Sequence, residues 1–385
     1  MRNRETVIGS PDGGLILVLI LLILIGMIMI YSASVFYAQQ YFNDQFYYFK
    51  RQFLAFVVGL VLVMILGNFR LEWLRKLAPL AILLALGLAA YQGVVERSRW
   101  FSAGVIHFQT VDVVRFALTI YLPYYLVRTQ DQLKSFSEGL LPILIIIGLL
   151  TVFTGLQRDF SSSMTLFLLS MIILAAGPVQ IKHLVLVTGG TLIAGLGFIN
   201  LTGHNLERIK AWLQPEADPF NTGYQIINAL IGFQRGGVAG TGFAQSRAKM
   251  FFLPEAHNDY IFAIIGEEWG IIGTLIIVLL FGIVLQRGLK IARRQQAPYA
   301  YYLTVGIMAN FMLYAIINMM VALNMLPSTG IPLPFISYGG TALVINMALA
   351  GLLINLSRVP EKQVKPAAPG SLKHQRVFYY TRKRR

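Results

Sequence analysis

Residues 249 to 269 read Lys-Met-Phe-Phe-Leu-Pro-Glu-Ala-His-Asn-Asp-Tyr-Ile-Phe-Ala-Ile-Ile-Gly-Glu-Glu-Trp. The stretch crowds Lys249, Glu255, His257, Asp259, Glu267 and Glu268 against a long apolar run. Charged groups beside hydrocarbon are costly, and chains that place them there usually use them. Asp259 stands where a polar loop enters the apolar run. Partial desolvation there raises the basicity of a carboxylate, which suits a general base or a ligand. The competing reading is a first-turn carboxylate favoured by a helix dipole. Glu255, four residues earlier, would share a helical face with Asp259. Such a pair of oxygen ligands suits Mg²⁺ or Mn²⁺. His257 is an assistant to that chemistry or a hydrogen-bonded structural group. The chain has no HExxH pattern of a zinc protease.

A second set lies earlier. Asp112 and Arg115 are spaced to pair on one helical face inside an apolar segment, as a ligand site or as an ion pair locking helices. Arg158-Asp159 marks a tight polar turn. Arg208, Lys210, Arg235, Arg247 and Lys249 form a cationic set, suited to phosphate or to a solvated surface. Glu267 and Glu268 lie two turns into the apolar run and read more as anchors for neighbouring helices. Gly232, Gly236, Gly237, Gly240 and Gly242 match neither a P-loop nor a dinucleotide fingerprint and read as flexible loop backbone.

The elements that must carry these groups are membrane spans. Of 385 residues, 56% are hydrophobic and 13% charged, about half the charged share of a soluble domain. The apolar residues come in blocks, not stripes. The blocks predict an all-α integral membrane protein of about ten transmembrane helices, with residues 14–356 as its membrane domain. The spans fall near Gly14–Ser32, Phe53–Leu66, Ala78–Tyr91, Val105–Val127 and Leu140–Leu156. Five more fall near Met164–Ala176, Leu184–Leu201, Tyr260–Leu285, Tyr301–Leu323 and Ala342–Leu356. One large loop, 202–258, separates the seventh from the eighth; 1–13 and the basic segment 357–385 flank the whole.

An even number of spans puts both termini on one side. Lys and Arg concentrate on that side, which makes the termini cytoplasmic and the 202–258 loop extracytoplasmic. The same asymmetry explains most of the net charge of +15, and no basic, aromatic-interleaved soluble module suggests nucleic acid. Cysteine is absent, which removes disulfides and thiol chemistry. The first apolar segment lacks a small-residue cleavage site and reads as a retained span.

Several long motifs then resemble one family. Phe252 to Gly270 and Asn324-Met-Leu-Pro-Ser-Thr-Gly-Ile-Pro-Leu-Pro-Phe-Ile-Ser-Tyr-Gly-Gly340 look like signatures of the SEDS family (shape, elongation, division and sporulation). Arg208-Ile-Lys-Ala-Trp-Leu-Gln-Pro with Asp218-Pro and Gly223-Tyr-Gln225 is similar to its large external loop, and Tyr31-Ser-Ala-Ser34 also fits. The resemblance covers nearly all of the chain except the tail. It implies a ten-span peptidoglycan glycosyltransferase of the bacterial cytoplasmic membrane that polymerises lipid II on the outer face. It also implies a class B penicillin-binding protein as partner, within the divisome or elongasome.

On the matching motifs the essential acid falls on Asp259 and the loop lysine on Lys249. Arg208, Asp112, Arg115, Asp159, Gln225, Glu255 and His257 are the further substrate-binding candidates. Three motifs depart from the family pattern: Asp112 stands for a glutamate, Arg158 and Ser161 alter a turn, and Asn258 replaces a threonine. Gly330-Ile-Pro-Leu-Pro-Phe-Ile-Ser looks more like the division branch than the elongation branch. A transporter or flippase of a lipid-linked precursor is the alternative, since many spans with buried charges also suit translocation. A long external loop and charges at one interface instead of the midplane speak against it.

Overall fold

The computed structural model describes residues 9–358 except 104, 105, 202, 222 and 255. Glu255, Arg2, Arg4 and the tail from 359 onward therefore lie outside the described residues. Long apolar runs leave a backbone no water to bond with, so they close their hydrogen bonds within helices. The first three are α1 (Gly13–Phe42), α2 (Tyr47–Leu66) and α3 (Leu71–Ala90). Then come α4 (Thr110–Arg128), α5 (Leu141–Leu156), α6 (Phe160–Ala175) and α7 (Ile181–Leu201). Two helices, α8 (Gly203–Leu213) and α9 (Tyr224–Gly236), lead to α10 (Ile261–Arg294), α11 (Pro298–Ala322) and α12 (Gly340–Leu356). Among the described residues seven helices are long and apolar enough to cross a membrane, and α6, α12 and the Ile181–Ile193 part of α7 are shorter apolar helices.

Three expectations change. The fourth span does not begin at Val105: Trp100–Ala103 (β1) pairs antiparallel with Ile106–Gln109 (β2), and α4 starts at Thr110. Pairing satisfies the backbone of this apolar segment without a helix. The stretch 202–258 is partly helical, because α8 and α9 each carry an amphipathic pattern. The eighth span is not one straight helix. α10 has 34 residues, about 51 Å at 1.5 Å per residue, and is broken at Gly270 (φ 67°, ψ −162°).

α2 packs chiefly on α12 and α1, whereas α3 packs on α4 and α5. Gly59 faces Met347 and Gly351 faces the Val63 backbone, so α2 and α12 approach closely. The remaining surfaces of α2 and α3 expose large apolar side chains such as Leu54, Met64, Leu83 and Leu84. At one end of the bundle the described chain ends meet. The Gly9 N–H donates to Arg358 O (2.8 Å), and Arg287 Nη1 lies 3.3 Å from Asp12 Oδ1. Asp12 also caps α1, accepting from the Leu15 N–H at 2.9 Å.

Candidate active site

The break in α10 organises the site. Residues 237–242 lie against it and replace the missing helical partners. The N–H groups of Ile271 and Ile272 donate to Gly237 O and Val238 O (2.9 and 3.3 Å). The N–H groups of Thr241 and Gly242 donate to Glu267 O and Glu268 O (2.9 and 3.0 Å). A side chain would obstruct this joint, since a Cβ on Gly240 or Gly270 would meet backbone atoms of the other segment at 2.1 and 2.4 Å. Gly240 therefore serves close approach at positive φ, not the flexibility expected of it, and Gly270 does the same on the opposite segment.

Glu267 and Glu268 then clamp the next residues. Glu267, fully buried, accepts from Ser246 Oγ (2.5 Å) and the N–H groups of Arg247 (3.0 Å) and Ala248 (3.1 Å). Arg235 Nη1 stands 3.6 Å from it. Glu268 Oε1 lies 2.7 Å from Lys249 Nζ, with both side chains fully buried, and Ser32 Oγ of α1 lies 3.0 Å from the same ammonium. Ser32 also donates to Glu268 (2.7 Å). The motif at Tyr31–Ser34 thus bonds to the 249–269 motif across 236 residues. Lys249 is expected to face phosphate; its ammonium instead donates to Ser32 and pairs with Glu268, which supplies its counter-charge in a buried setting.

Beyond Lys249 the chain makes a π-helical turn (Ala248–Phe252), and residues 256–260 are turns until α10 begins at Ile261. Asp259 is therefore not in a helix's first turn, and Glu255, expected to share a helical face with it, lies outside the described residues. Asp259 is half-buried. Asn318 of α11 donates Nδ2 to both Asp259 O and Ile331 O, each at 2.9 Å, binding the acid's backbone to the Pro-rich segment before α12. Gly330 (φ 73°) lies over the carboxylate, where a Cβ would stand 3.5 Å from Asp259 Oδ2. Trp212 of α8 donates to Asn324 O (3.0 Å), which brings the helix of Arg208 onto the same segment. Burial pushes the Tyr260 hydroxyl up from its usual range; the Asp259 carboxylate adds to this and the Arg208 guanidinium opposes it. Asp259 and Arg208 therefore act on one neighbourhood.

His257 is wedged among tyrosines, its ring 4.3 Å from Tyr48, 5.5 Å from Tyr338 and 5.9 Å from Tyr37. Burial lowers its pKa from 6.5 to about 4, so it is neutral at pH 7. The Tyr338 N–H donates to His257 O (2.9 Å). This is a packed position, two residues from the acid.

Asp112 and Arg115 do pair, at 3.0 Å on successive turns of α4, and both are buried. Arg115 also lies over the Tyr314 ring (4.3 Å) and donates to Asn310 Oδ1 (3.3 Å), both on α11. Asp159 caps α6 through the Ser162 N–H (3.1 Å) and acts electrostatically on Asp112. Arg158 takes a left-handed conformation at that turn (φ 60°).

The structure thus gathers Asp259, Arg208 and His257 on one neighbourhood, and Asp112, Arg115 and Asp159 on another. Gln225 is half-buried in the first turn of α9. Glu267 and Glu268 act as the anchors their position in an apolar run suggests, whereas the partners they hold, Ser32 and Ser246, and the Asn318 tie to Asp259 carry no local sequence signal. Among the described residues no group of three His, Asp or Glu could hold a metal ion. Near Asp259 the described residues offer one acidic ligand, and Glu255, its expected partner for Mg²⁺ or Mn²⁺, lies outside the described residues.

Comparison with known proteins bears on this arrangement. Residues 14–362 match the FtsW, RodA and SpoVE family, described as cell cycle protein. The chain is 36% identical over 354 residues to "Probable peptidoglycan glycosyltransferase FtsW" of Trichlorobacter lovleyi, covering 89% of this chain and 92% of that protein. It is 33% identical to stage V sporulation protein E of Bacillus subtilis, covering 91% and 97%. In fold it is similar to a chain of a solved peptidoglycan synthase complex, with TM-score 0.73 and 22% identity over 91% of this chain and 98% of that one.

Proposed function

The chain belongs to the FtsW, RodA and SpoVE family of cell cycle proteins, and from that premise we propose that it is a peptidoglycan glycosyltransferase. It is a multi-pass membrane protein, and we read all of its apolar helices as spans, with both termini cytoplasmic and the 202–258 region outside. Its substrate is lipid II, polymerised at the outer face of the cytoplasmic membrane. The relatives named FtsW favour the division branch.

One observation carries this reading. A half-buried carboxylate, Asp259, sits at the mouth of a broken helix under Gly330, with Arg208 acting on the same neighbourhood. In the reaction Asp259 takes the proton of the acceptor hydroxyl as that oxygen bonds to the donor's anomeric carbon. The bond from this carbon to the pyrophosphate oxygen breaks, and undecaprenyl pyrophosphate leaves with the electron pair. Arg208 offers it a counter-charge. Lys249 acts one step removed: paired with Glu268, it holds the segment that leads to Asp259. The exposed apolar faces of α2 and α3 suit polyprenyl tails entering from the bilayer, and Asp112–Arg115 braces α4 against α11 beside them.

A class B penicillin-binding protein, which would crosslink the strands, is the proposed partner; the fold likeness to a synthase-complex chain supports it. The test is purified protein with lipid II in detergent. Glycan product is expected. A transporter would yield none, because detergent leaves no second side, and absence of product with and without the partner would overturn the proposal.

A further inference from the structure

The facing parts of α1 and α2 carry an unusual density of rings, Tyr31 to Phe56, that the reaction above does not use. The rings divide into two groups. Tyr31, Phe46, Phe49, Phe53 and Phe56 form a ladder with successive centroids 5.2 to 6.5 Å apart, almost all without hydroxyls. The other group is rich in tyrosine. Phe42 and Tyr47 stack at 3.7 Å with planes 6° apart, and Tyr37 and Tyr41 lie 4.4 Å apart. Tyr48 joins this group to Tyr338 (4.9 Å) and to His257 (4.3 Å).

We propose that this tyrosine group is a saccharide-binding platform that receives the glycan strand beside Asp259. The inference rests on the glycosyltransferase reading. A pyranose ring has one face lined with electron-poor C–H bonds, which lies well on the negative face of an aromatic ring. Its hydroxyl edges need charged or polar partners. Both are present: Tyr41 is 59% exposed and Phe42 43%, and Tyr47, covered by Phe42 on one face and by Arg51 at 4.4 Å on the other, backs the Phe42 ring and places a guanidinium beside it. The exposed pair Lys50–Asp44 (2.8 Å) stands on the same connection.

Tyrosines at a membrane interface need only place their amphipathic rings at headgroup level. Here they pack on one another and end on a buried histidine. His257 is two residues from Asp259, so their Cα atoms are within about 7 Å of each other. Gln52 fixes the registration: it accepts from the Gly339 N–H (3.2 Å) and donates to Ser337 O (3.3 Å), tying α2 to the segment that covers Asp259. A sugar leaving Asp259 therefore meets the platform next.

The test measures binding of a β-1,4-linked N-acetylglucosamine tetrasaccharide to the purified full chain by calorimetry, alongside the length of glycan made from lipid II. Tyr41→Ala and Phe42→Ala should each weaken binding about tenfold and shorten the product, whereas Tyr41→Phe and Phe42→Tyr should stay within about threefold. Asp259→Asn should bind as the wild type does. Tyr41 is exposed, so its variants keep the fold, checked by size-exclusion profile. Tetrasaccharide that fails to bind the wild type, or binds the alanine variants equally well, overturns the platform. Alanine variants that lose thermal stability but not binding would mark an interfacial belt and overturn it too. Binding that obeys these rules in a protein making no glycan would keep the platform and sink the glycosyltransferase reading.

Discussion

Lys249 Nζ and Glu268 Oε1 stand 2.7 Å apart with neither side chain exposed. Removing one partner of such a pair leaves an uncompensated buried charge, at a cost of about 3–5 kcal/mol. Lys249→Ala and Glu268→Ala should therefore each lower the unfolding midpoint in detergent by several degrees and reduce polymerisation. Lys249→Met combined with Glu268→Leu should recover much of the stability. A double variant no more stable than either single one would show that the pair is not the source of the effect.

Asp259 is assigned the acceptor's proton. Asp259→Asn keeps the shape and the Asn318 contact to its backbone but loses the base, so polymerisation should fall by about 10²- to 10⁴-fold with an unchanged unfolding midpoint. Retained activity would remove Asp259 from the mechanism.

Gly270 takes φ 67° where a Cβ would meet Val238 O at 2.4 Å. Gly270→Ala should cost about 1–3 kcal/mol from strain alone and more from the collision. Limited proteolysis should then cut within 237–252, a stretch held in the wild type by hydrogen bonds to Glu267 and Glu268. A wild-type digestion pattern would contradict this joint.

His257 is neutral in the fold because burial lowers its pKa to about 4, against 6.5 unfolded. Between those values the unfolded chain binds more protons, so stability is full above pH 6.5 and falls as the pH drops toward 4. The loss is at most about 3 kcal/mol. Unfolding midpoints at pH 7 and pH 4.5 should differ, and His257→Gln should shrink the difference. An equal pH response in both proteins would show that His257 is not its origin.

Much of this architecture could be read from the chain. Apolar blocks announce helices, and Asp112 and Arg115 reveal their pairing because helix geometry alone sets an i to i+3 contact. What stayed hidden depends on distant partners. Nothing near Glu268 points to Ser32, since only the packing of α1 on α10 brings them together. Gly270 follows Glu267-Glu268-Trp269 with no proline or turn signal beside it, and its role emerges only with residues 237–242 alongside. The hairpin before α4 escaped for a similar reason. Ile106 and Phe108 are as apolar as a span, and pairing with Trp100–Ala103 decides otherwise.

The joint at Gly270 also bears on how this chain tolerates change. Its two segments recognise each other through main-chain groups, which every residue except proline provides. Val238 and Ala239 are exposed there and contribute only backbone carbonyls or spacing. Substitutions at those two positions should therefore accumulate freely, while Gly236, Gly240 and Gly270, whose Cβ positions are filled by the opposite backbone, should not. A variant library across 236–242 would show this as a comb of open and closed positions.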